Sequence, residues 1–373
     1  MIYLDYAATT PVDHSVWETY QGLVETYYGN PDSNHPKGVE VGRLLQKSRE
    51  QTAKLLDVKA SEIIYTSGAS EANNLALKGI ALQYQGRGKH IITSNIEHAS
   101  ILQACQQLEA LFGFTVTYLP VDASGTVTLK QVQQAVRKDT ILVSLFLVNN
   151  EIGSINPIAE IGAWLKQETR VLFHSDLVQA VGKHALPMKG LDLATISAHK
   201  IHGLKGSGML YKKESVQLVP LISGGEQEFG FRAGTNNAPV NIVFAKTLRR
   251  ALEAKDEAYA HAMQLRQDLK QKLQDSEIVW NSQEDASPFI MNLQTPLPSE
   301  IMMNALAADG YCVSAKSTCN TKSNTPSHVL KAIGLTDGQA NHSIRISIDK
   351  EVTAEDIASF ADALQRAIAR FRT

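Results

Sequence analysis

The chain has 373 residues, 43% of them hydrophobic, which is more than one core normally organises, so two domains are expected. Its 36 basic and 38 acidic residues leave a formal net charge of −2, which argues against nucleic acid, a polyanion or an anionic membrane as the main partner. Only three cysteines occur, Cys105, Cys312 and Cys319, a count that excludes a disulfide framework and points to a reducing compartment.

In chain order, the run Met1 to Thr10 has an acid at Asp5 and no basic region followed by an apolar stretch, so no signal peptide is expected. Short β-branched runs then predict strands at Ile63–Thr66, His90–Thr93, Thr115–Leu119, Ile141–Val148, Val171–His174, Asp192–Ser197 and Gly208–Tyr211. Several are apolar throughout, as strands covered on both faces are, and helical patterns separate them. That alternation predicts an α/β fold with a mainly parallel sheet, the last strands being spaced closely enough for an antiparallel edge. The longest apolar run, Ile141–Val148, is broken by Ser144 and is far too short to span a bilayer, so a cytoplasmic protein is expected. Beyond Pro239, apolar residues at helical spacing predict one long amphipathic helix over Leu248–Leu273 leading into a second domain. The alternation Ile344-Arg345-Ile346-Ser347-Ile348 predicts a half-exposed strand. Ile357, Phe360, Leu364, Ile368 and Phe371 share one helical stripe, opened by a capping sequence at Thr353 to Asp356.

Five groups of polar residues each follow a predicted strand. Thr66 to Asn74 has small hydroxylated residues between a strand and a helix, where backbone N–H groups and the helix dipole hold phosphate. Asn95 to Ser100 contains His98, an imidazole able to stack on a flat heteroaromatic ring. Asn149 to Gly153 contains Asn150, which could reach a cofactor oxygen or a substrate carboxylate. His174 to Gln179 places Asp176 at a strand's carboxyl end, where a carboxylate can keep a pyridine nitrogen protonated. Ser197-Ala198-His199-Lys200 places a lysine at another strand end, able to form a Schiff base with an aldehyde cofactor. Taken singly, these are also an ordinary turn, a histidine bonded to backbone, a turn asparagine, a helix cap and a surface lysine. Their shared placement is what counts: carboxyl ends of parallel strands open on one side, so the five converge on one crevice.

Those residues, with Tyr3 to Thr10, Gly29 to His35, Arg232 to Thr235, Ser327 to Leu330 and Ser343 to Arg345, resemble the NifS-like cysteine desulfurases over essentially the whole chain. The resemblance implies the type I PLP-dependent transferase fold: a large domain (14–248) with a mainly parallel seven-stranded sheet and a smaller α+β domain (1–13 and 249–373). It implies a homodimer carrying pyridoxal 5′-phosphate (PLP) that moves sulfur from L-cysteine to an enzyme cysteine and releases alanine. Carried over by position, Lys200 is the Schiff-base lysine, Asp176 holds the pyridine nitrogen, His98 stacks on the ring and Gln179 bonds its hydroxyl oxygen. Ala69, Ser70, Ser197 and His199 bind the phosphate, and Thr235 reaches the phosphate of the neighbouring subunit. Asn34, Asn150 and Arg345 hold the substrate carboxylate, a role a guanidinium fills bidentately.

The catalytic cysteine by this resemblance is Cys319, in the polar stretch Ser314 to Pro326, where Lys316 and Lys322 would favour a thiolate. Cys105 and Cys312 are expected to be core residues. The long stretch is like that of the family's first class, whose loop delivers a persulfide to an acceptor, for iron–sulfur cluster assembly or for thio-cofactor or tRNA thiolation. The chain departs from the family in reading Lys316-Ser317-Thr318-Cys319 where Gly-Ser-Ala-Cys is usual, and in placing Phe229 where Arg is common. Alternatives are a selenocysteine lyase or another PLP enzyme of the same fold, and a PLP-fold protein turned binding or regulatory module. A metal site on His199 and His202 lacks the glutamate of a zinc hydrolase, and no metal is expected.

Overall fold

A computed structural model describes residues 1–315 and 326–371. Cys319, with Lys316, Ser317, Thr318 and Lys322, lies outside the described residues. The strands described are β1 (Ile2–Tyr3), β2 (Ile63–Thr66), β3 (His90–Ser94), β4 (Thr115–Leu119), β5 (Thr140–Ser144), β6 (Leu172–Asp176), β7 (Leu193–Ser197), β8 (Gly208–Lys212), β9 (Val279–Trp280), β10 (Ile290–Gln294), β11 (Tyr311–Cys312) and β12 (Ser343–Ser347).

Seven of these form the main sheet in the order β2-β8-β7-β6-β5-β3-β4. Strands β4, β3, β5, β6 and β7 run parallel, while β8 is antiparallel to both β7 and β2. The antiparallel edge expected from close spacing is therefore present. Because β8 reverses between them, β2 points the same way as β7, and its carboxyl end opens on the same side as the others. Strands β2, β3 and β5 to β8 are buried along almost their whole length, which is why their sequences are apolar runs rather than alternations. Fully burying one such Ile or Leu contributes about 1.5–3 kcal/mol.

The run Ile141–Val148 is only partly strand. β5 ends at Ser144, and Leu145 to Val148 stay buried as the chain leaves the ladder, with Leu145 and Leu147 donating to the His174 and Asp176 carbonyls. The single helix expected over Leu248–Leu273 is two, Ala238–Glu253 and Lys255–Leu273, separated at Ala254. The first packs on helices His14–Thr26 and Pro36–Leu56, the second on the C-terminal helix Ala354–Arg370. A straight rod could not face both partners.

A three-stranded antiparallel sheet, β12-β10-β9, is backed by helix Ser299–Ala308, on which Ala354–Arg370 packs in turn, and β1 pairs with β11. The C-terminal helix starts at the expected capping box: Thr353 Oγ1 accepts from Asp356 N–H and Asp356 Oδ2 from Thr353 N–H. Strand β12 is buried on both faces, not half-exposed. Its polar residues Arg345 and Ser347 face the N-terminal segment, whose Asp5, Tyr6 and Ala7 bond to them. Among the described residues no helix is long and apolar enough to cross a membrane.

Candidate active site

The carboxyl ends of β2, β3, β5, β6 and β7 enclose a crevice of about 560 Å³. Ala69, Ser70, His98, Asn150, Asp176, Gln179, Ser197, His199, Lys200 and Arg345 all line it. Two anticipated residues do not. Asn34 and Thr235 are exposed on separate loops, and those loops are tied together: Gln227 Nε2 donates to Asp32 Oδ2 at 2.7 Å, and Gln227 Oε1 accepts from Gly234 N–H.

Lys200 closes a short turn (Ala198–Lys200) after β7, and its Nζ donates to the carbonyls of Ala7 and Ala8 at 2.6 and 2.7 Å. Asp176 ends β6, the next strand of the sheet. Its Oδ1 accepts from Val178 N–H at 3.0 Å and its Oδ2 from the Asn73 amide at 2.9 Å. That amide also reaches Ser100 Oγ, which lies 2.9 Å from His98 Nδ1. Burial, with Lys200 and His328 nearby, holds the His98 imidazole below its ordinary pKa against the opposing pull of Asp176 and Glu151. His199 Nδ1 meets Thr9 Oγ1 at 3.1 Å, and burial, then Lys200 and Lys205, lowers its pKa to about 4. It is therefore neutral at physiological pH.

The cradle at β2 depends on two glycines. Gly68 sits at φ +151°, a backbone conformation L side chains rarely adopt, and caps helix Ala69–Tyr84 without any side-chain bond to the first turn. Those first N–H groups face the crevice mouth, the arrangement that binds phosphate. Gly208, opening β8, packs so tightly that a Cβ there would stand 2.7 Å from Gly68 Cα. Two further polar atoms of this wall, Ser197 Oγ and Gln179 Oε1, are buried with no hydrogen-bond partner among the described residues. Unsatisfied buried polar atoms are rare in native structures, and a bound group at this wall would satisfy both.

Arg345 is almost fully buried, with Nη2 2.6 Å from Asp5 Oδ1 and Nη1 2.9 Å from the Asn150 carbonyl. The N-terminal segment thus straps across the crevice, touching Arg345 through Asp5, Lys200 through Ala7 and Ala8, Gln179 through Ala7 and His199 through Thr9. Sequence reasoning gave no role to this strap, to Asn73 or to Ser100. The one local signal was Asn73 itself, a polar residue among Ala72, Leu75 and Ala76 on the buried face of its helix. His199 and His202 do not converge: His202 instead faces Asp349 and Glu351. Cys105 is buried as expected, and burial pushes its thiol well above the ordinary range, whereas Cys312 is only partly buried.

A lysine and an aspartate on adjacent strand ends, beside an uncapped helix N-terminus, define a site for a phosphorylated aldehyde cofactor with a pyridine ring. The chain belongs to the aminotransferase class-V family, which matches residues 2–360. It is 39% identical to the cysteine desulfurase IscS of Dictyoglomus turgidum, over all of this chain and 95% of that one. It is 38% identical to a Nostoc cysteine desulfurase, over all of this chain and 94% of that relative. Among solved structures it resembles a NifS-like protein with a TM-score of 0.93 at 35% identity, covering 99% of this chain and 100% of that one. A second, described as SspA in complex with cysteine, gives 0.83 at 34% identity over 93% of this chain and 99% of that one.

Proposed function

We infer that this chain is a PLP-dependent cysteine desulfurase that converts L-cysteine to L-alanine and passes the sulfur on as a persulfide. The observation that carries the reading is Lys200 and Asp176 at the carboxyl ends of neighbouring strands, facing one crevice with an uncapped helix N-terminus at its mouth. The residues present fit PLP: Lys200 would hold its aldehyde carbon, Asp176 its ring nitrogen and Gln179 its hydroxyl oxygen, with His98 on its ring face. Ala69, Ser70, Ser197 and His199 would hold its phosphate. Bound there, PLP supplies a covalent handle for the substrate amine and an electron sink for charge left at Cα.

The chain's own residues do the rest. The Lys200 amine, when not holding the cofactor, would take the Cα proton and later return one. Arg345 and Asn150, which line the crevice, hold the substrate carboxylate; the family resemblance adds Asn34, which lies outside the crevice in this structure and would join them only if its loop moved inward. His98 serves proton transfer at the sulfur or the cofactor. The Cys319 thiolate attacks the substrate sulfur, so that an S–S bond forms as the C–S bond breaks. Its electrons go to the carbon, which is then protonated to the methyl group of alanine.

The active form we propose is a homodimer in which Thr235 reaches the neighbouring subunit's phosphate. Its exposure outside the crevice of its own chain supports that reading. We assign residues 14–248 to the large domain and 1–13 with 249–373 to the small one, place the enzyme in the cytoplasm, and expect a second protein to take the sulfur from Cys319. The test is mass spectrometry of Cys319 after exposure to L-cysteine, with alanine measured in the same sample. The reading requires a persulfide on Cys319 alongside alanine. Persulfide turnover surviving in Cys319→Ser, or an aldehyde-cofactor absorbance band surviving in Lys200→Ala, would overturn these assignments.

A further inference from the structure

The polar chain from Asp176 to His98 allows its donors and acceptors to be assigned atom by atom. A carboxylate only accepts, so the Asn73 group 2.9 Å from Asp176 Oδ2 must be the amide nitrogen. The second proton of that nitrogen points to Ser100 Oγ, also at 2.9 Å. Ser100 Oγ accepts there, which leaves its own proton for His98 Nδ1, 2.9 Å away. His98 is moreover the N-cap of helix Ala99–Phe112, and its Nδ1 accepts from Ser100 backbone N–H at 3.2 Å. Two donors converge on Nδ1, so this nitrogen carries no proton. A neutral imidazole that accepts at Nδ1 carries its proton on Nε2.

We infer that Asn73 and Ser100 are positioning residues that lock His98 in its Nε2–H form, making it a hydrogen-bond donor toward the crevice. The inference rests on the reading of His98 as a working residue of the site. A fixed donor suits a group that must face charge developing on sulfur or on an oxygen, since it needs no reorientation as the charge appears. The direction of the relay matters as much as its presence. With Asp176 fixed as acceptor, Asn73 donates to Ser100, and Ser100 Oγ keeps a proton to direct at the Nδ1 that its own backbone N–H already marks as an acceptor. The same carboxylate that faces the cofactor pocket therefore orients the hydroxyl that meets the imidazole two links away.

The charged groups around His98 come from four elements: Asp176 at the end of β6, Lys200 after β7, Glu151 in the turn beyond β5, and His328 at the start of helix His328–Ala332. Burial, Lys200 and His328 favour the neutral ring, while Asp176 and Glu151 oppose them. Ser100 adds to the neutral side, because a donor directed at a lone pair resists protonation of that lone pair. Removing it should let the ring protonate at higher pH.

The experiment uses the PLP-loaded enzyme with ring-¹⁵N histidine, the His98 signals being those missing in His98→Gln. At neutral pH His98 Nε2 should carry the proton and Nδ1 should not. In Ser100→Ala, which keeps only the backbone donor, a fraction with the proton on Nδ1 should appear. The acidic limb of the kcat/KM profile should move to higher pH, and kcat/KM should fall about threefold to tenfold, the effect of one neutral hydrogen bond. Ser100→Thr retains the hydroxyl and should restore all three. A protonated Nδ1 in the parent enzyme overturns the inference, as does Ser100→Ala with the parent's ring signals and pH limb. If His98→Gln turns over cysteine at the parent rate, the reading of His98 fails instead, and the ring signals still judge the tautomer independently.

Discussion

The loop that carries Thr235 hangs on one buried ion pair. Arg49 Nη1 and Nη2 donate to Glu228 Oε2 and Oε1 at 2.7 and 2.8 Å, and Tyr65 N–H donates to the same carboxylate at 2.8 Å. The side chains are 6% and 1% exposed, so solvent screening is negligible. The Arg49 guanidinium also sits between two rings, 4.8 Å from the centroid of Tyr65 and 5.0 Å from that of Phe229. Glu228 and Phe229 hold left-handed backbones at φ +47° and +59°, a strain the pair must offset. Replacing Glu228 by Gln strands the arginine charge, which costs about 3–5 kcal/mol for a buried pair. Unfolding entropy of about 2.1 cal/mol/K per residue over this chain gives roughly 0.8 kcal/mol per kelvin, hence a fall in Tm of about 4–6 °C. The effect should be insensitive to salt, because the pair is shielded from it. Differential scanning calorimetry of Glu228→Gln at low and high salt reads both. The double variant Arg49→Met/Glu228→Leu should regain part of the loss, since it strands no charge and leaves only the Tyr65 N–H and the Ile63 carbonyl without their partners. A Tm within about 1 °C of the parent for Glu228→Gln, or a double variant as unstable as the two singles together, would refute the reasoning.

Glu97 gives a pH-dependent stability. It is fully buried, and desolvation raises its pKa to about 8 against the hydrogen bonds from Ser94 and Phe146 that favour its charged form. The folded chain keeps this proton through a range where the unfolded chain has lost it, so stability falls as pH rises from about 5 to 8 and levels off above. Glu97→Gln should flatten that slope by up to about 3 kcal/mol between pH 6 and 8, read from denaturant midpoints; an unchanged slope would contradict it. At the phosphate cradle, Gly208→Ala would force a Cβ to 2.7 Å from Gly68 Cα and 2.9 Å from the Ile196 carbonyl, backbone atoms with no side chain to swing away. Overpacking of about 1–3 kcal/mol should weaken PLP affinity roughly tenfold or more, measured by titrating the cofactor-free enzyme; equal affinity would show that the cradle tolerates displacement.

The strands were legible because sheet burial on both faces writes itself into sequence as β-branched runs; Ile63–Thr66, buried throughout, is predicted to the residue. Where the reading strayed, hydrophobicity was reporting burial rather than pairing. Leu145 to Val148 are as buried as the strand before them, and Leu145 and Leu147 still bond to β6, but the regular strand has ended and Phe146 and Val148 turn to line the crevice. The helix break at Ala254 has no proline or glycine to announce it, because the two halves are turned by the partners they pack on. Strand-end motifs placed Lys200, Asp176, Gln179, His199 and His98 on one crevice, where the structure has them, since parallel topology sends strand ends to one side. What stayed hidden was every contact made across the chain. Arg345 read as the exposed side of a strand because its partner, Asp5, stands 340 positions away. Lys200 likewise read as a lysine past a strand, whereas its amine is held by carbonyls from the first ten residues. Polar alternation near a chain end is therefore weak evidence of exposure when the other end can fold over it. In this chain the strap does so, burying an apparent surface strand whose Arg345 lines the crevice.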